Sequence, residues 1–277
     1  MNIIVYQYVD IAMMTSHLIA LLSVCCYLAA AGWLLRQLHD YKHGITPIAL
    51  AWSAVALQLV YFFLNSQQQN GFNFGFFNTG ALIAMIVAVL LLLASLNKPV
   101  EKLGIAVFPI AAVMLGLEVW LGKQTAHFPH YGPAMDTHIL TSMIAFSLLN
   151  IAALQAVLLA IQDKQIKSHA PKPFMRSLPS LQAMESLMFQ MLTTGLVFLT
   201  VSLASGVIFI EDLFAQHLVH KSVLSLLAWL IFSSLLVGRR LYGWRGKTAI
   251  KWTLTGFALL MLAYFGSKLV LELILHR

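Results

Sequence analysis

Two histidines, His217 and His220, lie three residues apart in the stretch DLFAQHLVHKSVLSLLAW, at the entrance to a long apolar run. Residues at positions i and i+3 of a helix lie on the same face, so this spacing could present two imidazole nitrogens to one ligand. Imidazole is a common metal ligand and changes its charge near neutral pH. The alternative is a solvated helix entry with Glu211, Asp212 and Lys221 as its charged rim.

A third histidine, His138, lies in the sequence MDTHILTSMIAFSLL, where another apolar run begins. Asp136 or Thr137 can cap the N-terminus of this helix, which would leave His138 in the first turn. Ser142 is four residues further on and shares the face of His138. An ionisable side chain in an apolar span is a functional candidate because burying it unpaired is costly. The alternative is a histidine at the membrane boundary that bonds a neighbouring backbone carbonyl.

His127 and His130 form an H-x-x-H pair in the sequence KQTAHFPHYGPAMD, whose prolines and glycine are typical of a loop. The spacing resembles half of a metal site, but no third or fourth ligand lies nearby, and a structural zinc site needs four. The chain contains no G-x-S-x-G, Walker A, C-x-x-C or H-E-x-x-H motif. The sequence therefore supports neither hydrolysis nor phosphoryl transfer, and we expect a protein that is not an enzyme.

The elements that must position these histidines are membrane spans. Of the 277 residues, 60% are hydrophobic and 10% are charged, whereas about a quarter of residues are charged in soluble domains. Runs of about 20 apolar residues cross the hydrocarbon core as α-helices. We expect an all-α polytopic membrane protein that forms one integral membrane domain over residues 1–277. The predicted spans are 12–35, 45–64, 77–96, 103–121, 137–161, 187–210, 219–238 and 252–274.

Basic residues divide unequally between the connections. Thirteen of the 17 Lys and Arg residues fall in connections that would share one side of the membrane. The four exceptions are Lys123, Lys221, Lys268 and Arg277. The positive-inside rule places the basic side in the cytoplasm, so both termini and the three histidines His138, His217 and His220 are predicted on the outer, periplasmic side. The formal charge of +7 is then a topology signal with some attraction to anionic lipid, and no nucleic-acid partner is expected.

Four further residues predict local structure. Glu118 lies near the outer end of the fourth predicted span, and we expect it at the interface within reach of water; the alternative is a coupling carboxylate in a transporter. Ser180 is a candidate N-cap for the sixth span. Ser202 and Gly206 form a small-xxx-small pair that allows a neighbouring helix to approach closely.

The segment HKSVLSLLAWLIFSSLLVGRRLYGWRGKTAIKWTLTGF resembles the cytochrome c assembly superfamily of haem-handling membrane proteins. The matching features are Lys221, Trp229 eight residues later, a basic helix end at Arg239 and the GWRGK motif that starts at Gly243. The segments QAMESLMFQ and LAYFGSK are similar to a group of inner-membrane proteins known as YpjD or CorE-type. The similarity is strongest from about Thr137 to the C-terminus.

The resemblance implies a bacterial inner-membrane protein with eight spans and haem as its cofactor. Haem-handling relatives use a histidine near the outer start of the equivalent helix as an axial iron ligand, which corresponds to His138. They also have a tryptophan-rich platform where this chain reads IEDLFAQHLV, and a second axial histidine in the last span where it reads GSK. We therefore expect haem binding without ligation of haem to cytochrome c, with His220 or His217 as the candidate second ligand to the iron.

The function predicted from these observations is a non-enzymatic haem-binding or haem-handling protein of the inner membrane. Its expected partners are membrane lipid, haem and another inner-membrane protein. An alternative is an accessory or regulatory subunit of another membrane protein, such as a divalent-cation exporter, that contains no haem. Replacing His138 by Ala should abolish function under the first hypothesis and leave it largely intact under the second.

Overall fold

The computed structural model describes residues 2–40, 46–68, 75–97, 100–122, 133–167, 180–209 and 216–266, and the regular elements in these ranges are helices. A 3₁₀ turn at Glu101–Leu103 precedes the fourth helix, and a π-helical turn at Leu262–Gly266 continues the last one. The α-helices are α1 (Asn2–Asp40), α2 (Thr46–Gln68), α3 (Phe76–Ser95), α4 (Gly104–Leu121), α5 (Pro133–Lys167), α6 (Leu181–Phe209), α7 (Gln216–Tyr242) and α8 (Lys247–Met261).

Eight of these helical segments are long and apolar enough to cross a membrane. They are Met14–Gln37, Thr46–Gln67, Phe76–Ser95, Glu101–Leu121, Thr137–Lys167, Leu181–Ile208, Lys221–Tyr242 and Lys247–Gly266. The prediction of an all-α protein with eight spans is confirmed. Helices α5 and α6 contain 35 and 29 residues, more than the predicted spans, because their polar ends continue beyond the roughly 20 residues that a bilayer core requires. The side on which each terminus lies stays a prediction.

Helix α5 begins earlier than predicted, at Pro133. Proline suits the first helical position because the N–H that it lacks would be unpaired there. Asp136 and Thr137 are therefore inside the helix, the prediction that one of them is the N-cap is wrong, and His138 lies in the second turn. The predicted cap of α6 is confirmed, since the Ala183 N–H donates to Ser180 Oγ at 3.3 Å.

The helices form two compact units, Met1–His130 and Tyr131–Arg277. In the first unit, α1 contacts α2 and α4, and α3 contacts the same two helices. In the second unit, α5 contacts α6 and α8, and α7 contacts the same two helices. Each unit is thus a ring of four helices in which the first packs against the fourth. The single domain over 1–277 stays a prediction.

A buried amide links three helices of the first unit. The Gln58 side chain is fully buried; its Oε1 accepts a hydrogen bond from Tyr27 Oη at 2.9 Å, and its Nε2 donates to the Ala81 carbonyl at 3.2 Å. These bonds join α1, α2 and α3. The helices approach closely because many of the residues between them are alanines. Fully buried alanines of this unit are Ala20, Ala30, Ala51, Ala54, Ala81, Ala88 and Ala111.

Helices α5 and α6 share the most extensive contact of the second unit. They come together at Gly195, where an added Cβ would lie 2.9 Å from Leu149 Cγ and 3.3 Å from Leu148 Cβ. Two turns further along α6, Ser202 and Gly206 are also buried, as the small-xxx-small pattern predicts. This close approach sets the distance between the backbone of α6 and the side chains of α5.

Replacing Gly195 by Ala should destabilise the second unit by roughly 1–3 kcal/mol, because the new methyl group would overlap the buried Leu149 side chain. The matched control is Gly116→Ala in α4, where an added Cβ meets no atom within 4 Å. Unfolding midpoints of both variants in one detergent provide the measurement. Equal midpoints for the two variants would contradict the close α5–α6 contact.

Candidate functional site

The His138 side chain is half-buried and points its Nδ1 at helix α6. Nδ1 lies 2.9 Å from the Ser202 carbonyl oxygen and 3.0 Å from Ser205 Oγ. Ser205 Oγ in turn donates to the Ser202 carbonyl at 2.9 Å. Two short contacts from one imidazole nitrogen thus join α5 to α6, and the third bond links the two serines within α6.

These contacts assign the proton on the imidazole ring. A carbonyl oxygen can only accept a hydrogen bond, so His138 Nδ1 carries the hydrogen and donates it to Ser202. The other nitrogen, Nε2, then keeps its lone pair in the neutral ring. Metal-ligating histidines are typically held in this way, with one ring N–H bonded to a carbonyl and the other nitrogen available to the metal. The carbonyl bond that the sequence suggested as a purely structural alternative is therefore also the bond that a ligand histidine requires.

An aromatic cluster lies about two turns from His138 on the same face of α5. Phe146 is 2% exposed, and its ring centroid lies 5.7 Å from that of Phe257, 5.1 Å from Tyr264 and 5.7 Å from Phe265. The last two belong to the π-helical turn after α8. The polar part of this helix face is therefore short, and it ends at a tightly packed apolar surface inside the second unit.

The side chains of the other histidines singled out from the sequence lie outside what the structure describes. His217 and His220 belong to the first turns of α7, but their side chains are not among the described ones. His127 and His130 fall between α4 and α5, outside the described residues. Convergence of His138 with His220 or His217 stays a prediction. Within the described ranges, no three His, Cys, Asp or Glu side chains are grouped as ligands for a bare metal ion.

Glu118 is buried inside the first unit, and the prediction that it lies within reach of water is wrong. The residue is 6% exposed, and its Oε2 accepts a hydrogen bond from Tyr61 Oη at 2.7 Å. Tyr61 lies on α2 and is itself 3% exposed. The carboxyl group can be buried because a hydroxyl group from another helix donates a hydrogen bond to it. The position of Glu118 in the sequence did not reveal this partner.

Removing the Tyr61 hydroxyl should destabilise the first unit. Tyr61→Phe leaves the buried Glu118 carboxyl without this donor, at a cost of roughly 1–3 kcal/mol. Tyr242→Phe is the control, because Tyr242 is 75% exposed and its hydroxyl loss should be nearly neutral. Thermal unfolding in detergent would measure both. If the two substitutions had the same small effect, the Tyr61–Glu118 bond would not contribute to stability.

A second buried carboxylate, Glu185, holds the GWRGK turn between α7 and α8. Its Oε1 accepts from the Gly246 N–H at 2.7 Å, and its Oε2 accepts from Arg245 Nε at 3.1 Å. Gly243 and Gly246 have φ values of +66° and +55°, a conformation that glycine adopts without strain. The two glycines of the motif thus provide the backbone conformation that the turn requires. Glu185 forms its hydrogen bonds with this turn rather than with the N-terminus of its own helix.

Replacing Glu185 by Gln should cost about 1 kcal/mol or somewhat more, because the charge-assisted bond to the Gly246 N–H weakens. Arg245→Gln should cost less, since the Arg245 side chain is 58% exposed and exposed ion pairs contribute little. Unfolding midpoints of the two variants test this order. A larger loss in Arg245→Gln would show that the ion pair, and not the backbone bond, holds the turn.

The helices and their buried polar groups define a multi-pass α-helical membrane protein. The family model described as "Cytochrome C assembly protein" matches residues 44–275, and the chain belongs to this family. The resemblance seen in the sequence is therefore confirmed, and it extends over most of the first unit, where the sequence pattern was weak.

Several bacterial proteins are similar to this chain. The inner membrane protein YpjD of Escherichia coli K12 is 31% identical over 260 residues, which cover 92% of this chain and 98% of YpjD. The protein HemX of Brevibacillus brevis is 25% identical over 132 residues, 47% of this chain and 48% of HemX. The cytochrome c biogenesis protein CcsA of Prochlorococcus marinus is 28% identical over 91 residues, 32% of this chain and 29% of CcsA.

The similarity to YpjD covers nearly the whole of both chains. Together with the eight span-forming helices, it confirms the predicted location in the inner membrane. Membrane lipid is accordingly a partner, and apolar side chains on the outside of the helices such as Phe63 and Ile208, which are 61% and 71% exposed, meet it. No solved structure is significantly similar to the chain.

Sequence analysis did not find the partners of the candidate site. Ser202 was recognised only as a small residue, and Ser205 was not singled out at all. The signal was present in their spacing, since two serines at i and i+3 lie on one helix face. It could not be connected to His138 without knowing that this face of α6 packs against α5.

Proposed function

We propose that the chain is a non-enzymatic protein of the inner membrane that binds or handles haem, with His138 as an axial ligand to the iron. The observation that carries the proposal is the bond from His138 Nδ1 to the Ser202 carbonyl at 2.9 Å. It holds the ring in one orientation and one tautomer, which is how proteins prepare an imidazole for a metal.

The donor set fits haem better than a bare metal ion. Haem iron takes its axial ligands from imidazole nitrogens among other groups, and the porphyrin supplies the remaining ligands, so one or two histidines are enough. Among the described residues no larger group of metal-binding side chains competes for this role. Bound haem would supply an iron centre able to accept the Nε2 lone pair, while Ser202 and Ser205 keep the His138 ring in place.

The second ligand in this proposal is His220, with His217 as the alternative. Both residues lie in the first turns of α7, which begins seven residues after α6 ends at Phe209. This short connection keeps the start of α7 close to the end of α6 that carries Ser202 and Ser205. The end of α6 that orients His138 and the start of α7 that carries the other two histidines thus lie at the same end of the second unit, which supports His220 or His217 as the second ligand.

Membership of the family supports a role in haem traffic. The relative named CcsA is a cytochrome c biogenesis protein, and the family is one of cytochrome c assembly proteins. The tryptophan-rich platform of the haem-handling relatives is absent from this chain, so the proposed role is binding or transfer of haem rather than its attachment to cytochrome c. The expected partner is another inner-membrane protein that supplies or receives the haem.

Absorption spectra test the proposal directly. The full chain, gently purified in detergent and supplemented with haem, should show a Soret band that shifts on reduction. His138→Ala should abolish or weaken that band, and added imidazole should restore it partly by occupying the vacated ligand position. His220→Ala and His217→Ala identify the second ligand by a change in the spectrum without complete loss of binding.

The matched control is His17→Ala, which removes an exposed histidine of the first unit and should leave the spectrum unchanged. The unfolding midpoint of each variant would be measured as well, and only variants that unfold at the wild-type midpoint would be compared. Loss of fold is then not mistaken for loss of a ligand. A wild-type protein without a Soret band, or a His138→Ala variant with the wild-type spectrum, would contradict the proposal. Such a result would favour the haem-free accessory subunit.

A further inference from the structure

A cavity with both polar and apolar lining residues lies between α6 and α7, at the end of the second unit opposite to His138. Its volume is about 570 Å³. It lies where α6 begins and α7 ends, and both arginines of the RR sequence at the end of α7 reach it. Residues that line the cavity include Ser186, Phe189, Gln190, Thr193, Arg239 and Arg240.

Arg239 is held in place by an aromatic ring. Its Cζ lies 3.5 Å from the centroid of the Phe189 ring, and Phe189 is 4% exposed, so the ring itself cannot move far. Stacking occupies the face of the guanidinium and leaves the N–H donors in its plane for hydrogen bonds to an oxyanion. Arg240 follows directly and is more exposed. The two guanidinium groups therefore offer one held and one mobile positive charge to the same cavity.

Helix α6 contributes neutral polar groups to this cavity. Ser186, Gln190 and Thr193 lie at i, i+4 and i+7, on one face of the helix, and all three are exposed. The Thr193 hydroxyl donates to the Phe189 carbonyl of its own helix at 2.8 Å, so its hydrogen is already bonded within α6. Beyond them the exposed residues of α6 include Val197 and Val201. The groove is thus polar beside the arginines and largely apolar further along the span.

Glu185, an acidic residue at this end of the unit, does not line the cavity. Glu185 is bonded to the Gly246 N–H and to Arg245, and it is not among the residues that line the cavity. Its carboxylate lowers the local positive potential but is satisfied by the GWRGK turn. The lining combines the two arginines and the polar side chains of α6 with the apolar residues Phe189 and Leu236. The two guanidinium groups are the donors that match a phosphate group.

We infer that this cavity binds the phosphate of an anionic phospholipid headgroup, with the acyl chains lying along the apolar part of the groove. Basic pockets between membrane helices favour such headgroups because the positive charge lies at the depth of the lipid phosphates. A free inorganic phosphate ion offers the same chemistry at the headgroup. The lipid is the better match because the cavity is lined by residues of two spans, and exposed residues further along the second of them, Leu230 and Val237, are apolar.

The test uses the full chain, delipidated in detergent, and native mass spectrometry to count retained phosphatidylglycerol. Phosphatidylcholine is the neutral comparison lipid, and inorganic phosphate is the competitor. The double variant Arg239→Gln with Arg240→Gln should bind phosphatidylglycerol about tenfold more weakly, or worse, because each basic residue near the headgroups contributes substantially to binding. Arg240→Gln alone, at an exposed position, should weaken binding less and is the variant least able to disturb the fold.

The matched control is Lys247→Gln with Lys251→Gln, which removes the same charge from exposed positions at the same end of the unit but outside the cavity lining. It should retain phosphatidylglycerol like the wild type. Equal weakening of phosphatidylglycerol binding in both double variants would show that only the net positive charge of this end matters, and it would overturn the proposed site. Equal retention of both lipids by the wild type would overturn it as well, and full competition by inorganic phosphate would assign the cavity to the free ion. Haem absorbance plays no part in this readout, so its outcome is independent of the proposed function.

Discussion

A polar side chain inside a bilayer must find its partner within the protein, because the hydrocarbon core offers none. Each unit of this protein is organised around side chains that meet this requirement across helices. Gln58 joins three helices of the first unit, and Glu118 is buried because Tyr61 donates to it. In the second unit, Glu185 bonds the turn between α7 and α8. These bonds specify which helices are neighbours, while small residues allow the helices to come close.

The pairing of His138 with the backbone of α6 is the functionally informative case. It depends on Gly195, because a larger residue at that position would push α6 away from α5. The Ser202 backbone carbonyl accepts a hydrogen bond from the imidazole Nδ1–H, and Ser205 Oγ is a second acceptor. Helix packing and the tautomer of His138 are therefore linked. The distance between α5 and α6 determines which imidazole nitrogen donates to Ser202 and which one keeps its lone pair.

The basic residues at one end of the second unit lie in two different environments. Arg245 and the glycines of the GWRGK motif belong to a turn that Glu185 stabilises. Arg239 is stacked on Phe189 and lines the cavity between α6 and α7. From the sequence all these arginines read equally as a topology signal. The structure distinguishes these arginines, because the groups within a few ångströms of each guanidinium determine what it binds.

The sequence by itself determined the class of protein, the number of spans and the family, because apolar runs and a local motif such as GWRGK are properties of contiguous residues. It also identified His138 as a candidate ligand and Ser180 as a cap. Only the tertiary structure decided that Glu118 is buried against Tyr61 and that the Ser202 carbonyl accepts a hydrogen bond from His138. These pairs are separated by 57 and 64 residues. Whether such residues meet depends on which helix faces pack together, and that is set by the summed packing of whole helices rather than by any local pattern.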